Sequence, residues 1–249
     1  MAEKLVLEKV SRMAPAELHR IAFGVRYEPQ LKLLDRFGSV MDEVLRQDDT
    51  PFGPDRFPVS ETLPMQFRLL NQDDNSELLI NAQDTILQMP LETRDGSVVN
   101  DLGKDFDEYV LRPLRKIGGV KNILRYGVLF HFKETKAAAL KNPPISHYLS
   151  SDFPKANTLF MHFSRRLAAD EALAKKRVDD YRNVSYSIQQ SETGTVRFSM
   201  DYQDYFQPML DASEWDERPF SAFVDRGTEY VEAECQRWLK TFAVVPEVA

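Results

Sequence analysis

The segment ILRYGVLFHF, residues 123–132, combines an apolar background with an arginine, a tyrosine and a histidine. A guanidinium group can hold an anion, and an imidazole can transfer protons near neutral pH. At a strand period of two, Arg125 and His131 face one way together with Ile123. Leu124 and every second residue after it face the other way, into the predicted core. The segment is therefore predicted to be a half-buried strand, with Arg125 and His131 about 20 Å apart on a surface or groove.

The four histidines are the first candidates for a metal site, but none stands in an H-x-x-x-H or similar ligand spacing. They are His19, His131, His147 and His162. The one arrangement that would bring two of them together places His131 and His162 on adjacent strands. Acidic residues cluster in predicted turns and at strand ends, where solvation explains them, instead of facing each other in one cleft. The sequence therefore predicts no metal ligand and no catalytic residue.

The segment RKIGGVKN, residues 115–122, places basic side chains around a double glycine, and such a group can hold a phosphate. The glycines follow a predicted helix and do not open one. The same residues are better explained as a helix C-terminus whose dipole is met by cations. Since no Walker, dinucleotide-binding or G-x-S-x-G motif occurs in the chain, no cofactor is expected.

The most basic region begins at the end of the segment FMHFSRR, residues 160–166, and comprises Arg165, Arg166, Lys175, Lys176 and Arg177. Nucleic-acid binding would require aromatic side chains interleaved with such charges on an exposed face. The aromatic residues of this segment are expected to alternate towards the core, which argues against a nucleic-acid partner.

Composition and charge exclude several classes of protein. Of the 249 residues 43% are hydrophobic, enough for a packed core, and 29% are charged, which is ordinary for a globular chain. The net charge of -7 works against non-specific attraction to nucleic acid or anionic membrane. Neither a signal peptide nor an apolar run of about 20 residues is present, so a soluble cytoplasmic protein is expected. The single cysteine, Cys235, is expected to be a small, partly buried hydrophobe.

The elements of the first half follow from hydrophobic patterns. LHRIAFGVRYEP, residues 18–29, alternates as a strand, and an apolar stripe from Leu31 to Leu45 predicts one helix. Residues 48–64 contain four prolines and are predicted to form a loop. MQFRLL, ELLIN and DTILQM then predict three short strands, or two with a bulge.

A second helix is predicted to start at the capping-box pair Asp105 and Glu108, with a kink or early stop at Pro113 and an end at the double glycine. After the strand at 123–132, ANTLFMHFSRRLA predicts another strand, and residues 168–180 fit either a helix or a long connection. Residues 183–202 predict a β-hairpin with Gly194 in its turn. Pro219 fits the first turn of a final helix of about 23 residues with an aromatic side.

The resulting order, β-α-β-β-β-α-β and then β-β-β-α, predicts an α+β fold with a mostly antiparallel sheet and helices packed on one face. The first half has the element order of a ferredoxin-like unit, and the second is compatible with a reduced version. One domain is expected over residues 1–249, with residues 135–157 as the place for any sub-division.

The motifs IAFGVRYEP and LRYGVLF, with a closing strand and long helix, resemble a sporadically distributed bacterial family of cytoplasmic proteins of about this length. The resemblance spans roughly residues 18–245. It differs at Gly127, where members of the family tend to have an asparagine. The resemblance implies a bacterial origin, one α+β unit and no catalytic residues to transfer.

Two functions from different classes remain open. The first is a non-catalytic interaction module that binds a protein partner or another copy of itself through strand edges and the long aromatic helix, as an accessory to a bacterial genetic module. The second is a small-molecule-binding protein or enzyme with a pocket on the sheet face. Its polar groups are predicted to be Arg125, His131, Arg26 and Arg68.

Overall fold

A computed structural model describes residues 18–63, 65–91, 99–140, 144–145, 157–168, 177 and 179–242. They form one antiparallel sheet with helices on one of its faces. The strands are β1 Leu18–Tyr27, β2 Val59–Leu63, β3 Gln66–Asn71, β4 Ser76–Asn81, β5 Asp84–Pro90, β6 Asn122–Phe132, β7 Thr135–Lys136, β8 Leu159–Ala168, β9 Tyr181–Gln190 and β10 Thr195–Asp211. The helices are α1 Leu31–Leu34, α2 Phe37–Arg46, α3 Val99–Phe106 and α4 Phe220–Phe242.

The strand order across the sheet is β2-β3-β4-β5-β1-β6-β10-β9-β8, and the two-residue β7 pairs with β10. Within this order β6, β1, β5 and β4 lie side by side, the split antiparallel arrangement of a ferredoxin-like unit, with helices before β4 and before β6. The second half is an antiparallel meander of β8, β9 and β10 followed by α4. The predicted α+β fold with a mostly antiparallel sheet is therefore confirmed.

Helices pack on one side of the sheet, which we call the covered face; the opposite side is the open face. Phe23 of β1 lies 5.8 Å from Phe106 of α3 and 5.5 Å from Phe220 of α4, measured between ring centroids. A Cβ atom on Gly227 of α4 would lie 3.0 Å from the Val128 side chain in β6. The glycine therefore lets α4 approach the sheet closely.

The predicted strand at 123–132 is confirmed as part of β6, but the alternation shifts at its start. Arg26 pairs with Arg125 whereas Tyr27 pairs with Ile123, so Leu124 is the extra residue of a β-bulge. Ile123 is fully buried and Leu124 is only half-buried. Their predicted faces were therefore wrong, because the bulge restores Ile123 to the covered face.

The helix predicted from Leu31 to Leu45 is two helices. The chain turns between α1 and α2, and there the Arg36 guanidinium donates a 3.0 Å hydrogen bond to the Ile117 carbonyl. Leu31 is 67% exposed, so the buried stripe starts only at Leu33. The predicted loop at 48–64 contains the short strand β2. Prolines flank this strand, and they are tolerated there because β2 lies at the sheet edge.

The second helix begins earlier than the capping-box pair indicates. Val99, Leu102 and Phe106 are fully buried at helical spacing, so the apolar stripe extends one turn and a half before Asp105. The helix passes through Pro113 by way of two π-helical turns, Asp107–Leu111 and Leu114–Gly118. Wide turns accommodate a residue that lacks an N–H.

Three predictions concern parts of the chain outside the described residues. They are the environments of His147 and of the Cys235 side chain, and the conformation of residues 169–176.

Among the described helices none is long and apolar enough to cross a membrane. One sheet connects the two halves of the chain through β6 and β10.

Candidate functional site

The antiparallel register places the open-face side chains in rows that cross the sheet. One row runs from β1 to β8 through directly paired positions, and we call it the histidine row: Arg20, His131, Ser199, Ser187 and His162. Directly opposite side chains lie about 5 Å apart in such a sheet. The His162 Nδ1 and Ser187 Oγ atoms are 3.0 Å apart, within hydrogen-bond distance.

A groove of about 640 Å³ lies over the histidine row where β1, β6 and β10 meet. We call it the basic groove. Its charged lining residues are Arg20, Lys133, Glu134 and Arg197, and its neutral polar lining includes Gln88, Ser187, Gln189 and Ser199 beside the imidazoles of His19 and His131. Strands supply most of these residues, so their backbone positions are fixed by the sheet.

The cations that line the basic groove differ in their partners. The Arg197 guanidinium pairs with the Glu134 carboxylate, and Lys133 also has an interaction within the fold. Among the described residues no carboxylate forms an ion pair with Arg20. Arg20 therefore contributes a positive charge that no described carboxylate pairs with, in a chain whose net charge is -7. A concave surface focuses the field of such a charge on any anion that enters it.

His131 lines the basic groove directly opposite Arg20. Burial lowers its pKa below the ordinary value of 6.5, and the neighbouring charges of Arg20 and His19 lower it further. The imidazole is therefore neutral at pH 7 and offers one N–H donor and one acceptor. An anion placed against it would favour the protonated ring, because opposite charges at short range stabilise each other.

The opposite end of the open face carries a second row, the tyrosine row, in which Arg26, Arg125, Tyr205 and Tyr181 are directly paired. Arg26 donates to both carboxylate oxygens of Asp84, at 2.8 and 3.2 Å. Arg125 donates a 3.2 Å hydrogen bond to the Tyr205 hydroxyl, and its guanidinium lies 5.6 Å from the centroid of that ring. Both arginines thus have partners within the fold.

The two tyrosines of this row stack on each other. Their ring centroids are 4.7 Å apart with planes inclined by 5°, and the Arg166 guanidinium covers Tyr181 at 3.7 Å. The expectation that the aromatic residues of the segment 160–166 alternate towards the core was wrong, because this segment forms the edge strand β8, where Phe160 is 67% and Phe163 43% exposed. Each tyrosine ring has neighbours on both sides, so the row is a closed stack and leaves no free ring face for a base.

A hollow of about 150 Å³ lies between the two rows, over the directly paired Gly24 and Gly127. Beside it Tyr205 donates to Gln203, and Gln203 donates to Asp201, at 2.7 and 2.5 Å. Burial raises the pKa of Asp201, and Arg125 offsets part of that shift. The hollow is much smaller than the basic groove, and its polar groups are bonded to each other.

The four predicted site residues all lie on the open face, but the structure does not bring them together. His131 lines the basic groove and Arg125 lines the small hollow. Arg26 is held by Asp84. Arg68 lies beyond β4, where it pairs with Glu77 at 2.6 Å and with Glu61 at 3.7 Å.

The cations that accompany His131 were missed, namely Arg20, Lys133 and Arg197. Arg20 lies with Leu18, Ala22 and Gly24 on the less apolar face of the first predicted strand, which is a usable signal. Only the pairing of β1 with β6 places Arg20 opposite His131. That register depends on contacts between distant parts of the chain and cannot be read from local patterns.

His131 and His162 share a row, but β10 and β9 lie between their strands, so the two are not on adjacent strands as a metal site would require. Three strand spacings separate them by about 14 Å. Among the described residues no group of three or more His, Cys, Asp or Glu side chains is placed to hold a metal ion.

No protein-family model matches the chain, and no curated protein is similar to it. The resemblance to a bacterial family therefore stays a prediction. The function has to be inferred from the geometry of the open face.

Proposed function

We propose that the protein binds a small anionic molecule in the basic groove. The observation that carries this proposal is the Arg20 guanidinium, which lines the groove directly opposite the neutral His131 and forms no ion pair with a described carboxylate. The tyrosine row shows how the same fold treats arginines that serve structure, because each of them contacts a carboxylate or a ring. Arg20 has no such ion pair among the described residues.

The groove has the chemistry for phosphate, sulfate or carboxylate groups. Guanidinium groups bind such anions through parallel N–H donors, and charge-assisted bonds are stronger than neutral ones. Serine hydroxyls and glutamine amides in the lining supply further donors. The sheet holds these groups in place before the ligand arrives, which lowers the entropic cost of binding.

The first test is isothermal titration calorimetry of the full chain with inorganic phosphate and sulfate at low ionic strength. Wild type should bind both, and Arg20→Gln should weaken binding about ten- to one-hundredfold, since a hydrogen bond to a charged group contributes about 1.5–3 kcal/mol. Arg26→Gln is the matched control, because it removes the same charge from the same strand face at a position held by Asp84. It should leave the affinity nearly unchanged.

Equal losses in the two variants would show that only the general charge of the open face matters, and would overturn the groove as a site. Absence of any binding by wild type at millimolar anion would overturn the proposed function itself. Circular dichroism of both variants establishes that each is folded.

A second candidate function, docking of a protein partner, is favoured by the edge strand β8. It is ten residues long and ends the described sheet, with Phe160 67% exposed on the open face and Phe163 43% exposed on the covered face. Edge strands with exposed apolar side chains accept another strand. Light scattering after size-exclusion chromatography, with Phe160→Lys as the variant, tests self-association; a monomer at high concentration would exclude a second copy as the partner.

A further inference from the structure

A second hollow, of about 560 Å³, adjoins the basic groove towards the β8 edge. The two share Glu134, Gln189 and Arg197 in their linings. The second hollow is lined mainly by neutral polar side chains, and it contains Leu159 and the largely exposed Phe160; among its described lining residues Arg197 is the one cation. The basic groove and a compartment that exposes an aromatic ring thus lie side by side, with the Arg197–Glu134 ion pair at their boundary.

That ion pair joins Arg197 of β10 to Glu134, which follows β6. Both side chains are more than half exposed, at 62% and 51%. Exposed ion pairs contribute little to stability because water screens them and the long side chains lose entropy on pairing. Glu134 can therefore leave Arg197 at little cost when another anion takes its place.

The register fixes the distance between the compartments. Phe160, Gln189 and Arg197 are directly paired across β8, β9 and β10. Two strand spacings amount to about 10 Å between the backbones of Phe160 and Arg197. The Arg197 side chain and the van der Waals contact with Phe160 take up part of this distance. An anionic group attached directly to an aromatic ring spans the remainder.

We propose that the ligand is an aryl-substituted anion whose charged group replaces Glu134 at Arg197 and whose ring packs against Phe160. This inference rests on the proposed function and narrows its ligand class. Glu134 is then a competitor within the site, which the incoming anion must displace. Arg20, Lys133 and His131 complete the charged compartment.

The experiment compares methyl phosphate with phenyl phosphate, two monoesters of similar charge that differ in the ring. Calorimetry on the full-length wild type should show phenyl phosphate binding about tenfold more tightly, as expected for burial of one ring. Phe160→Ser should abolish that preference while leaving methyl phosphate affinity unchanged. Phe163→Ser, on the other face of the same strand, is the matched control and should keep the preference.

Removal of the competing carboxylate gives an effect of opposite sign. Glu134→Gln should strengthen binding of both esters several-fold, because Arg197 no longer has an internal anion, whereas Arg197→Gln should weaken both. Equal affinities of wild type for the two esters, or a preference that survives Phe160→Ser, would overturn the inference and leave the anion-binding function standing. If wild type binds neither ester, both proposals fail.

Discussion

The covered face and the basic groove of the open face differ in whether the fold supplies partners for their arginines. On the covered face Arg182 donates to both oxygens of Asp204, and Arg177 and Arg218 both pair with Asp180. All five side chains are largely buried. In the basic groove of the open face Arg20 forms no ion pair with a described carboxylate. The number of arginines in a region therefore says less about binding than whether the fold already supplies their partners.

The largest effect should come from the covered face. Asp180 is 6% exposed and accepts from Arg177, Arg218 and the Gln207 N–H. Asp180→Ala leaves buried cations short of a partner and should lower the free energy of unfolding by about 3–5 kcal/mol. Urea denaturation measures this loss.

The control for that change is Asp216→Ala, which removes an ion pair with Arg115 from a carboxylate that is 82% exposed. Its cost should stay below about 1 kcal/mol. Similar losses for the two variants would mean that burial does not distinguish the ion pairs of the covered face. Sulfate affinity should be unchanged in either variant at temperatures where the variant is folded.

Glycines on the two faces should also respond in opposite directions. A Cβ at Gly227 would meet the buried side chains of Val128 and Tyr202 at 3.0 and 3.2 Å, whereas a Cβ at Gly24 meets no atom within 4 Å. Gly227→Ala should therefore destabilise the protein by about 1 kcal/mol through overpacking. Gly24→Ala should stabilise it by about 0.5 kcal/mol through the unfolded chain. Thermal unfolding of the pair of variants shows whether the signs differ.

The tyrosine row sharpens the comparison because it is an open-face feature that serves stability. A double-mutant cycle with Tyr181→Ala and Tyr205→Ala should give a coupling energy of about 0.5–1.5 kcal/mol, as for other stacked aromatic pairs. Phosphate affinity should be the same in both single variants as in the wild type, because the stacked pair contributes to stability and not to the groove. Tyr181 lines neither the basic groove nor the second hollow. A loss of anion binding in Tyr181→Ala would therefore show that the site does not lie over the histidine row.

The smallest predicted effect concerns pH. Sulfate remains a dianion between pH 7.5 and 5.5, and a bound dianion favours the imidazolium form of His131, so affinity should rise about threefold as pH falls. His131→Gln should flatten that profile in calorimetry. Without ligand the sign reverses: the folded-state pKa of His131 lies below 6.5, so the unfolded chain binds more protons and stability falls below that pH.

Local patterns predicted the strands and helices well because each depends on neighbours in sequence. The hairpin of β9 and β10 follows from alternation on both arms and from Gly194, whose φ of 72° suits a glycine in the turn. The edge strand β2 was missed because its sequence signal is weak and prolines are dense around it. An edge strand tolerates prolines because one of its sides has no neighbouring strand to hydrogen-bond.

The candidate site was predicted only in part, because it is made by register. His131 was recognised from its type, and Arg125, six residues earlier in the same strand, was assigned to the same pocket. The distance along β6 keeps these two apart, while strand pairing brings Arg20 and Ser199 to His131 from distant positions of the chain. Residue type identified one member of the groove, and only long-range pairing identified the others.

The basic groove lies over the seam between β6 and β10, where the two halves of the sheet meet. Arg20 belongs to the ferredoxin-like unit and Arg197 to the meander that follows it. An anion bound by both arginines would link the two halves of the sheet across that seam. Because it would bind only when both halves are folded, it would raise the cooperativity of unfolding as well as the midpoint temperature of unfolding.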